Sequence, residues 1–419
     1  MGGLFRGAST RPAAEKPVAT SAALDEVGRE RLVRLLSAAT FLIFFQAYMV
    51  APLIPRLSAV FGVSAQTIGL IVPAYLIPYG VSTLVYGVLS DRFGRRRIML
   101  ASLTAFVLLT GLTAAARSVW ELVAIRFVSG LGASGVVPLG LALIGQVYPY
   151  QRRGRPLGWL FGAMAGGAAF GSTFGALLEP SLGWRGIFLV VSILGLVMLG
   201  LLLPYRGLLG EAPPTPPTTM VDILRGYRAF LVTLRGQRTY VYVLLNAIFH
   251  SGVFTWLGLY FAQRHGLSEV GIGLALLGYG VPGFVFGPII GRAADRWGRR
   301  WLIPAGLGIA GLAAGFLLLD VSVLVAALLV TLLSLGYDMT QPLLAGIVTA
   351  LGGKRAGQAM GLNVFCLFTG FGLGSLLFGE ALALGFGTAL AIFSVVQLAA
   401  AFAATPLFRS ETTAGEPRP

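Results

Sequence analysis

The feature that most constrains this chain is a run of about twenty apolar residues, repeated along nearly its whole length. A helix needs about 20 such residues to cross the hydrocarbon core of a bilayer. That window finds candidate spans at residues 34–55, 67–90, 98–116, 121–147, 156–179, 185–204, 240–262, 270–293, 301–319, 322–350, 358–380 and 384–407. Only 11% of the residues are charged, whereas a soluble domain is roughly a quarter charged. The short alternating segments of a membrane β-barrel are absent from the sequence. The sequence therefore predicts an all-α integral membrane protein with twelve transmembrane helices.

The lysine and arginine residues lie almost entirely on one side of this predicted membrane protein. Assigning the loops to alternate sides puts 26 of the 31 Lys and Arg residues on the side that carries both termini. The opposite loops carry only Arg56, Arg117, Arg185 and Arg264. Cytoplasmic loops are enriched in Lys and Arg, so we expect a multi-pass protein of the inner (plasma) membrane with both termini in the cytoplasm. This distribution accounts for the net charge of +15 without nucleic acid as a partner.

The chain contains two copies of one pattern, offset by 204 residues. Fourteen residues between Gly62 and Arg96 meet identical residues between Gly266 and Arg300 at that offset, among them Tyr75 with Tyr279. We therefore predict tails and six-helix bundles at 1–33 (tail), 34–204 (first bundle), 205–239 (linker), 240–407 (second bundle) and 408–419 (tail). The linker contains "EAPPTPPTT", which is typical of a semi-rigid or disordered segment. Two parallel six-span repeats are typical of secondary transporters whose halves rock about a central site.

Two charged loops at matching places in the repeat carry a family resemblance. The stretch "GVLSDRFGRRR" (87–97) resembles the cytoplasmic loop motif of the major facilitator superfamily, and "GRAADRWGRR" (291–300) resembles its second copy. The stretches "FQAYMVAPLIPRL" and "ELVAIRFVSGLGASG" are similar to the twelve-span drug:proton antiporter and sugar-efflux branch. The resemblance implies a major facilitator fold.

The resemblance also implies a conformational latch between the halves at these loops. Its residues would be Gly87, Asp91, Arg92, Gly94, Arg95, Arg96, Gly291, Asp295, Arg296, Gly298 and Arg299. The alternative is that the arginines only set the topology, by anchoring the loops in the cytoplasm and near anionic headgroups. Topology does not require the two aspartates.

Ionisable residues inside predicted spans mark functional sites by default. Asp338 lies about 16 residues into span 10. A carboxylate taken out of water binds a proton more readily, as a proton-coupling group must; the alternative is a structural acid bonded to a hydroxyl or to backbone. By resemblance, Arg126 in span 4 is the arginine of the family's fourth-span antiporter motif. Because it keeps its proton, its role would be electrostatic: to tune a nearby acid or to hold an anionic group.

His250 in span 7 is the second candidate for proton coupling. The offset pairs it with Gln46 in span 1, and histidine titrates near pH 6.5; the alternative is a core histidine with satisfied hydrogen bonds. Spans 1 and 7 line the cavity in the family. We predict that the substrate cavity includes Gln46, Tyr48, Asn246, Phe254, Trp256, Tyr337, Gln341, Asn363 and Phe365, although aromatic residues in spans often only pack.

Two departures from the family pattern concern antiport and not the fold. Many antiporters of this family carry an acid in span 1, where this chain has Gln46, and Ser172 replaces the proline of the fifth-span motif.

The pattern G-x-G-x-x-G at 130–135 lies within a span and follows no strand, so it does not predict a dinucleotide site. The stretch "GGKRAG" lacks the Gly-Lys-Ser/Thr ending of a Walker A phosphate-binding loop, so the sequence does not predict an ATP-driven pump. With two histidines and one cysteine, we expect neither an enzyme nor a metal site nor a cofactor.

Taken together, the sequence predicts a monomeric secondary transporter in the lipid bilayer that works by alternating access. The predicted activity is proton-coupled efflux, or antiport, of small drug-like or polar compounds, with protons as the coupling ion. A proton-coupled nutrient importer would use the same residues. A non-transporting receptor on the same fold is the remaining alternative.

Overall fold

The structure, a computed structural model, describes residues 26–148, 154–206 and 220–411. Within its helices, the side chains of some residues, Asp91 and Asp295 among them, fall outside the described part. The described ranges contain helices and turns but no strand. The helices are α1 (Glu26–Tyr48), α2 (Ile54–Phe61), α3 (Ala65–Gly69), α4 (Pro73–Phe93), α5 (Arg95–Thr113), α6 (Val119–Ala133), α7 (Val136–Val147), α8 (Gly154–Leu202), α9 (Met220–Leu231), α10 (Leu234–His265), α11 (Glu269–Ala275), α12 (Val281–Trp297), α13 (Arg299–Phe316), α14 (Val323–Gly352), α15 (Ala356–Ala381) and α16 (Phe386–Leu407).

Nine helical stretches within the described ranges are long and apolar enough to cross a membrane. One of them, Trp159–Tyr205, contains spans 5 and 6, because α8 bends at Gly183. Spans 8 and 9 are missing from the nine. Span 8 is divided into α11 and α12, and the first turn of α13 carries two arginines that lower its hydropathy. With these included, the twelve predicted spans form the two six-helix bundles of the major facilitator fold.

We call the side of the molecule where both described termini lie the arginine-rich end. Several helices there begin earlier than predicted. Helix α1 begins at Glu26 instead of residue 34, and α10 begins at Leu234 instead of 240. The predicted linker 205–239 contains α9 and the start of α10. Hydropathy detects only the apolar part of a helix, and these helices continue beyond it with polar residues. The predicted tail residues 1–25 and 412–419 and the stretch "EAPPTPPTT" lie outside the described residues.

Each half packs its first and fifth spans through glycines. In the first half, a Cβ on Gly171 would lie 2.5 Å from the carbonyl oxygen of Phe45 in α1. In the second half, a Cβ on Gly374 would overlap the carbonyl oxygen of Ile248 in α10. Small residues let membrane helices approach this closely, so both halves share one scaffold.

The two halves touch at the end opposite the arginine-rich end. A Cβ on Gly258 of α10 would lie 2.9 Å from Cα of Pro52, which follows α1. Nearby, the buried ring of Trp256 lies against Gly69 of α3. Further into the bundle, the rings of Tyr79 and Phe368 stack across the same interface. The halves are therefore packed from the opposite end to the middle of the molecule.

The two charged loops are tight turns that depend on glycine. Gly94, between α4 and α5, has φ 86° and ψ 134°, and Gly298, between α12 and α13, has φ 81° and ψ 153°. Only glycine adopts such a backbone readily. Their separation equals the repeat offset, so the repeated glycine of the motif has a structural reason that is independent of any latch.

Candidate functional site

A cluster of aromatic side chains surrounds His250 at the centre of the second half. The hydroxyl of Tyr279 and Nε2 of His250 form a hydrogen bond, which ties span 8 to span 7. The His250 ring stacks on Tyr337 of span 10, with ring centroids 3.8 Å apart. Phe254 lies one turn beyond His250 and packs on Tyr279 at 4.1 Å. His250 is buried, and its Nδ1 has no hydrogen-bond partner among the described residues, so one polar atom remains for a ligand.

Asp338 follows Tyr337, halfway along the 30 residues of α14. The hydroxyl of Ser334 donates to Oδ2 of Asp338 at 3.3 Å. A Cβ on Gly283 of α12 would lie 2.7 Å from Oδ1, so the α12 backbone packs closely against the carboxylate. None of the ion pairs among the described residues includes Asp338, and part of its surface stays accessible. An intramembrane acid without a cationic partner can bind and release a proton without first breaking an ion pair.

In the first half, the side chain of Arg126 in α6 is fully buried. Its guanidinium donates to the carbonyl oxygens of Ile71, Gln46 and Ala47 at 3.3, 3.4 and 3.5 Å. The same group lies 4.2 Å from the centre of the Tyr75 ring. No carboxylate pairs with it among the described residues. Arg126 therefore ties span 4 to spans 1 and 2 and keeps a positive charge inside the first half.

A chain of ring contacts connects the surroundings of Arg126 with those of His250. From Tyr75 it runs to Tyr79 at 5.9 Å, to Phe368 at 4.3 Å and to Phe371 at 5.8 Å. Phe371 then lies 5.8 Å from the His250 ring. The chain crosses from the first half to the second between Tyr79 and Phe368, where the cavity of a rocking transporter would open.

Sequence reasoning missed Tyr79, Phe368, Phe371 and Tyr279 as site residues. For Tyr279 a signal existed: the repeat pairs it with Tyr75, and each tyrosine packs against the ionisable group of its own half. For the other three no signal existed, because aromatic residues occur throughout the spans.

Of the nine predicted cavity residues, six lie near this centre or keep polar atoms that are unpaired among the described residues: Gln46, Tyr48, Phe254, Tyr337, Gln341 and Asn363. Tyr48 lies 5.8 Å from Phe254 across the two halves. Gln46 and Gln341 are buried, and within the described part of the chain neither of their amide atoms, nor Oδ1 of Asn363, has a hydrogen-bond partner. Unpaired buried amides are costly unless something binds them, so these are the polar atoms most available to a ligand.

Three predicted cavity residues are placed elsewhere. Asn246 donates to Thr340 at 2.8 Å and accepts from Gln397 at 3.3 Å, so it joins three spans within the second half. Trp256 donates to the carbonyl oxygen of Ser375 and packs at the contact between the halves. Phe365 packs in a separate cluster with α9 at the arginine-rich end.

The predicted latch is only partly described. The side chains of Asp91 and Asp295, and positions Gly87 and Gly291, lie outside the described part of the helices. Arg92 and Arg296 are exposed, whereas Arg95 is buried. The guanidinium of Arg299 approaches Gly346 of α14, where a Cβ would lie 3.4 Å away. Arg96 is partly exposed. The arginines are thus not equivalent, and at least one reaches a neighbouring span.

Comparison with known proteins agrees with this architecture. The family model described as Major Facilitator Superfamily matches residues 36–284 and 241–419. An uncharacterised transporter of this type, YceJ of Bacillus subtilis, is 26% identical over 82% of this chain and 87% of its own length. A chloramphenicol resistance protein of Pseudomonas aeruginosa is 27% identical over 69% of this chain and 68% of its own length.

Among solved structures, a D-xylose-proton symporter is similar in fold. Its TM-score is 0.72 at 19% identity, covering 91% of this chain and 97% of that one. A likeness at this identity concerns the fold alone. The family match, by contrast, extends over almost all of both halves. The chain is a membrane transporter protein that belongs to the Major Facilitator Superfamily.

Proposed function

We propose that this protein exports small drug-like or polar compounds in exchange for protons, by alternating access. The observation that carries the proposal is Asp338, a partly accessible carboxylate at mid-bundle that forms no ion pair with any cation in the described ranges. Export rather than import is supported by the Pseudomonas aeruginosa relative named for chloramphenicol resistance, because resistance through a transporter requires outward movement of the drug.

The proposed cycle uses the two halves differently. When Asp338 is ionised, its charge favours a state in which water reaches it. When it binds a proton, the neutral group can be enclosed as the halves rock. His250 adds a second polar atom beside Tyr337, which adjoins Asp338, and Arg126 keeps a fixed charge in the first half. Substrate and proton would compete for this centre, and such competition is the physical basis of antiport.

Topology and latch complete the proposal. With the arginine-rich end in the cytoplasm, as the positive-inside rule favours, the contact between Pro52 and Gly258 closes the outer side. The charged loops at Gly94 and Gly298 would then hold alternative states at the inner side. We propose a monomer in the plasma membrane, since each chain carries both halves of the site.

The test uses purified protein in proteoliposomes that contain a trapped pH-sensitive dye. A pH gradient is imposed, and lipophilic cations, antibiotics, sugars and amino acids are added in turn. We expect one compound class to evoke proton movement opposite to its own, and Asp338→Asn to abolish that movement. The matched control is Asp320→Asn, which changes an exposed acid just before the same helix and should leave flux intact. Wild-type flux from Asp338→Asn would refute the assignment of Asp338.

The alternative function is proton-coupled import of a nutrient. The fold is compatible with import, because a D-xylose-proton symporter has a similar fold. In the same assay an importer would move protons in the direction of the compound. A receptor would bind a compound in an equilibrium assay without any flux.

A further inference from the structure

A cavity opens at the arginine-rich end, away from the proposed transport site. It has a volume of about 570 Å³ and lies between the start of α10 and the end of α16, lined by Leu234, Arg235, Gln237, Arg238, Pro406, Leu407 and Ser410. Arg235 is 15 residues before His250 on α10, about 22 Å along the helix. The cavity is therefore separate from the aromatic centre.

The two arginines of this cavity already bind one carboxylate. Nε and Nη2 of Arg235 each donate to Glu411 at 2.7 Å. Arg238 also donates to Glu411, and to the carbonyl oxygen of Leu407. Glu411 is only 4% exposed. A guanidinium fork binds groups with two anionic oxygens; here the fork of Arg235 binds both oxygens of Glu411, and Arg238 adds one further donor.

Glu411 leaves one positive charge of this pair unmatched. Among the described residues, the ion pairs of Arg235 and Arg238 involve no other acid. The Arg235 side chain is 45% exposed beside the cavity, and no described residue is a hydrogen-bond partner of Nε of Arg238. The N-terminus of α10 adds positive potential. A second anion with a single charge would neutralise the cluster.

Besides Gln237 and Ser410, the remaining lining is apolar, and this apolar part continues onto the outer surface of α16. Leu234 is 83% exposed at the cavity mouth. Phe402, one turn before Pro406, is 83% exposed, and Val395 is 65% exposed further along the same helix. A charged site at the foot of an exposed apolar stripe matches a ligand with an anionic head and hydrocarbon chains.

We propose that this cavity binds the phosphodiester headgroup of an anionic phospholipid beside Glu411, with its acyl chains along α16. A phosphodiester carries the single charge that the cluster lacks, and basic pockets between membrane helices at the cytoplasmic side hold such headgroups. The site would tie spans 7 and 12 together at the membrane surface. It does not depend on the direction or the coupling of transport.

The test measures binding to the purified full chain by the shift of its thermal unfolding midpoint. Phosphatidylglycerol is titrated in detergent against phosphatidylcholine with the same acyl chains, and against inorganic phosphate and glycerol 3-phosphate. We expect phosphatidylglycerol to raise the midpoint more than the other three. Equal shifts from both lipids would refute the proposal, and equal shifts from a soluble phosphate would replace the lipid with that phosphate.

Charge variants make the test specific to this cluster. Arg235→Gln should weaken phosphatidylglycerol binding about fivefold, and Glu411→Gln should strengthen it by a similar factor. The double variant restores the original net charge and should bind like the wild type. Arg409→Gln, a change in an exposed arginine outside the lining, is the matched control and should have little effect.

If Arg235→Gln does not fold, the Glu411→Gln, double and Arg409→Gln variants decide the question. Weaker binding in Glu411→Gln would overturn the proposal, because it would assign the cluster a purely structural role. A loss in Arg409→Gln as large as that in Arg235→Gln would show diffuse attraction to the surface instead of a site.

Discussion

The two halves share a scaffold and differ in the charge at their centre. Both pack the first span on the fifth through glycines, and both place a tyrosine of the repeat against an ionisable group. In the first half that group is Arg126, bonded to three carbonyl oxygens. In the second half it is His250, with Asp338 next to its stacking partner. The repeat thus fixes the framework, while side chains that the repeat does not share set the chemistry.

In the proposed mechanism, the difference also separates a fixed charge from an exchangeable proton. Arg126 is enclosed by backbone and is always protonated, so it can only contribute a constant field. Asp338 and His250 sit where a polar atom remains accessible or unpaired. Besides the loss of flux expected for Asp338→Asn, four further predictions concern the fixed charge, the shared scaffold, the histidine and the C-terminal ion pair, here in order of decreasing expected effect.

Replacing the fixed charge should have the largest effect. Arg126→Gln leaves three carbonyl oxygens without their donor, and hydrogen bonds to charged groups contribute about 1.5–3 kcal/mol each. We expect substrate-evoked proton flux to fall to background and the unfolding midpoint to drop. The control is Arg117→Gln, which changes an exposed arginine in the loop before α6. Full flux in Arg126→Gln would show that transport does not need the buried charge of the first half.

The shared scaffold should respond alike in both halves. Gly171→Ala and Gly374→Ala each place a methyl group against the backbone of the neighbouring span, and overpacking costs about 1–3 kcal/mol. We expect similar decreases in the unfolding midpoint for both variants. Gly162→Ala and Gly357→Ala, at positions with open space in the same helices, are the matched controls. A large effect in only one half would break the structural equivalence.

Making the second half resemble the first at its histidine should have a moderate effect. His250→Gln introduces the residue found at the equivalent position, Gln46. It keeps a hydrogen-bonding group near Tyr279 but cannot titrate. Loss of about one hydrogen bond in the transition between states corresponds to roughly a tenfold slower flux. We expect slower flux with the proton gradient still required. If His250→Gln moved substrate without moving protons, His250 and not Asp338 would be assigned as the residue that carries the coupling proton.

The smallest effect is expected at the C-terminal end, beyond span 12. Burial raises the pKa of Glu411, but the hydrogen bonds and charges of Arg235 and Arg238 outweigh burial, so the pKa lies below its ordinary value. Because the pKa of Glu411 is lower in the folded than in the unfolded protein, the ionised carboxylate stabilises the fold at pH values above the unfolded-state pKa. This stabilisation is lost as the pH falls through the folded-state pKa.

Acid unfolding measures this contribution. The wild type should lose its advantage over Glu411→Gln as the pH falls below about 4.5, the region where an unfolded glutamate titrates. Near neutral pH the wild type should be the more stable of the two. Parallel pH profiles for the two proteins would contradict the lowered pKa. The Glu121→Gln variant, which changes an exposed glutamate at the opposite end, is the control.

Much of the fold was predictable because hydropathy is a local property. The apolar runs located the spans, and the offset of 204 residues located the two halves. Helix ends such as Glu26 and Leu234 were not predictable, because α1 and α10 extend into polar sequence. The candidate site was predictable only as single residues: Asp338, His250 and Arg126 stand out because charge is rare in spans.

The sequence by itself determined the membrane class, the two-fold repeat, the asymmetric distribution of arginine and the family. Only the tertiary structure decided which side chains meet. Asn246 is bonded within the second half, Tyr279 reaches His250, and Glu411 returns to Arg235 across 176 positions of the chain. The physical reason is helix rotation: hydropathy fixes where a helix crosses the membrane, whereas packing against neighbouring helices fixes which face, and so which polar atoms, point inward.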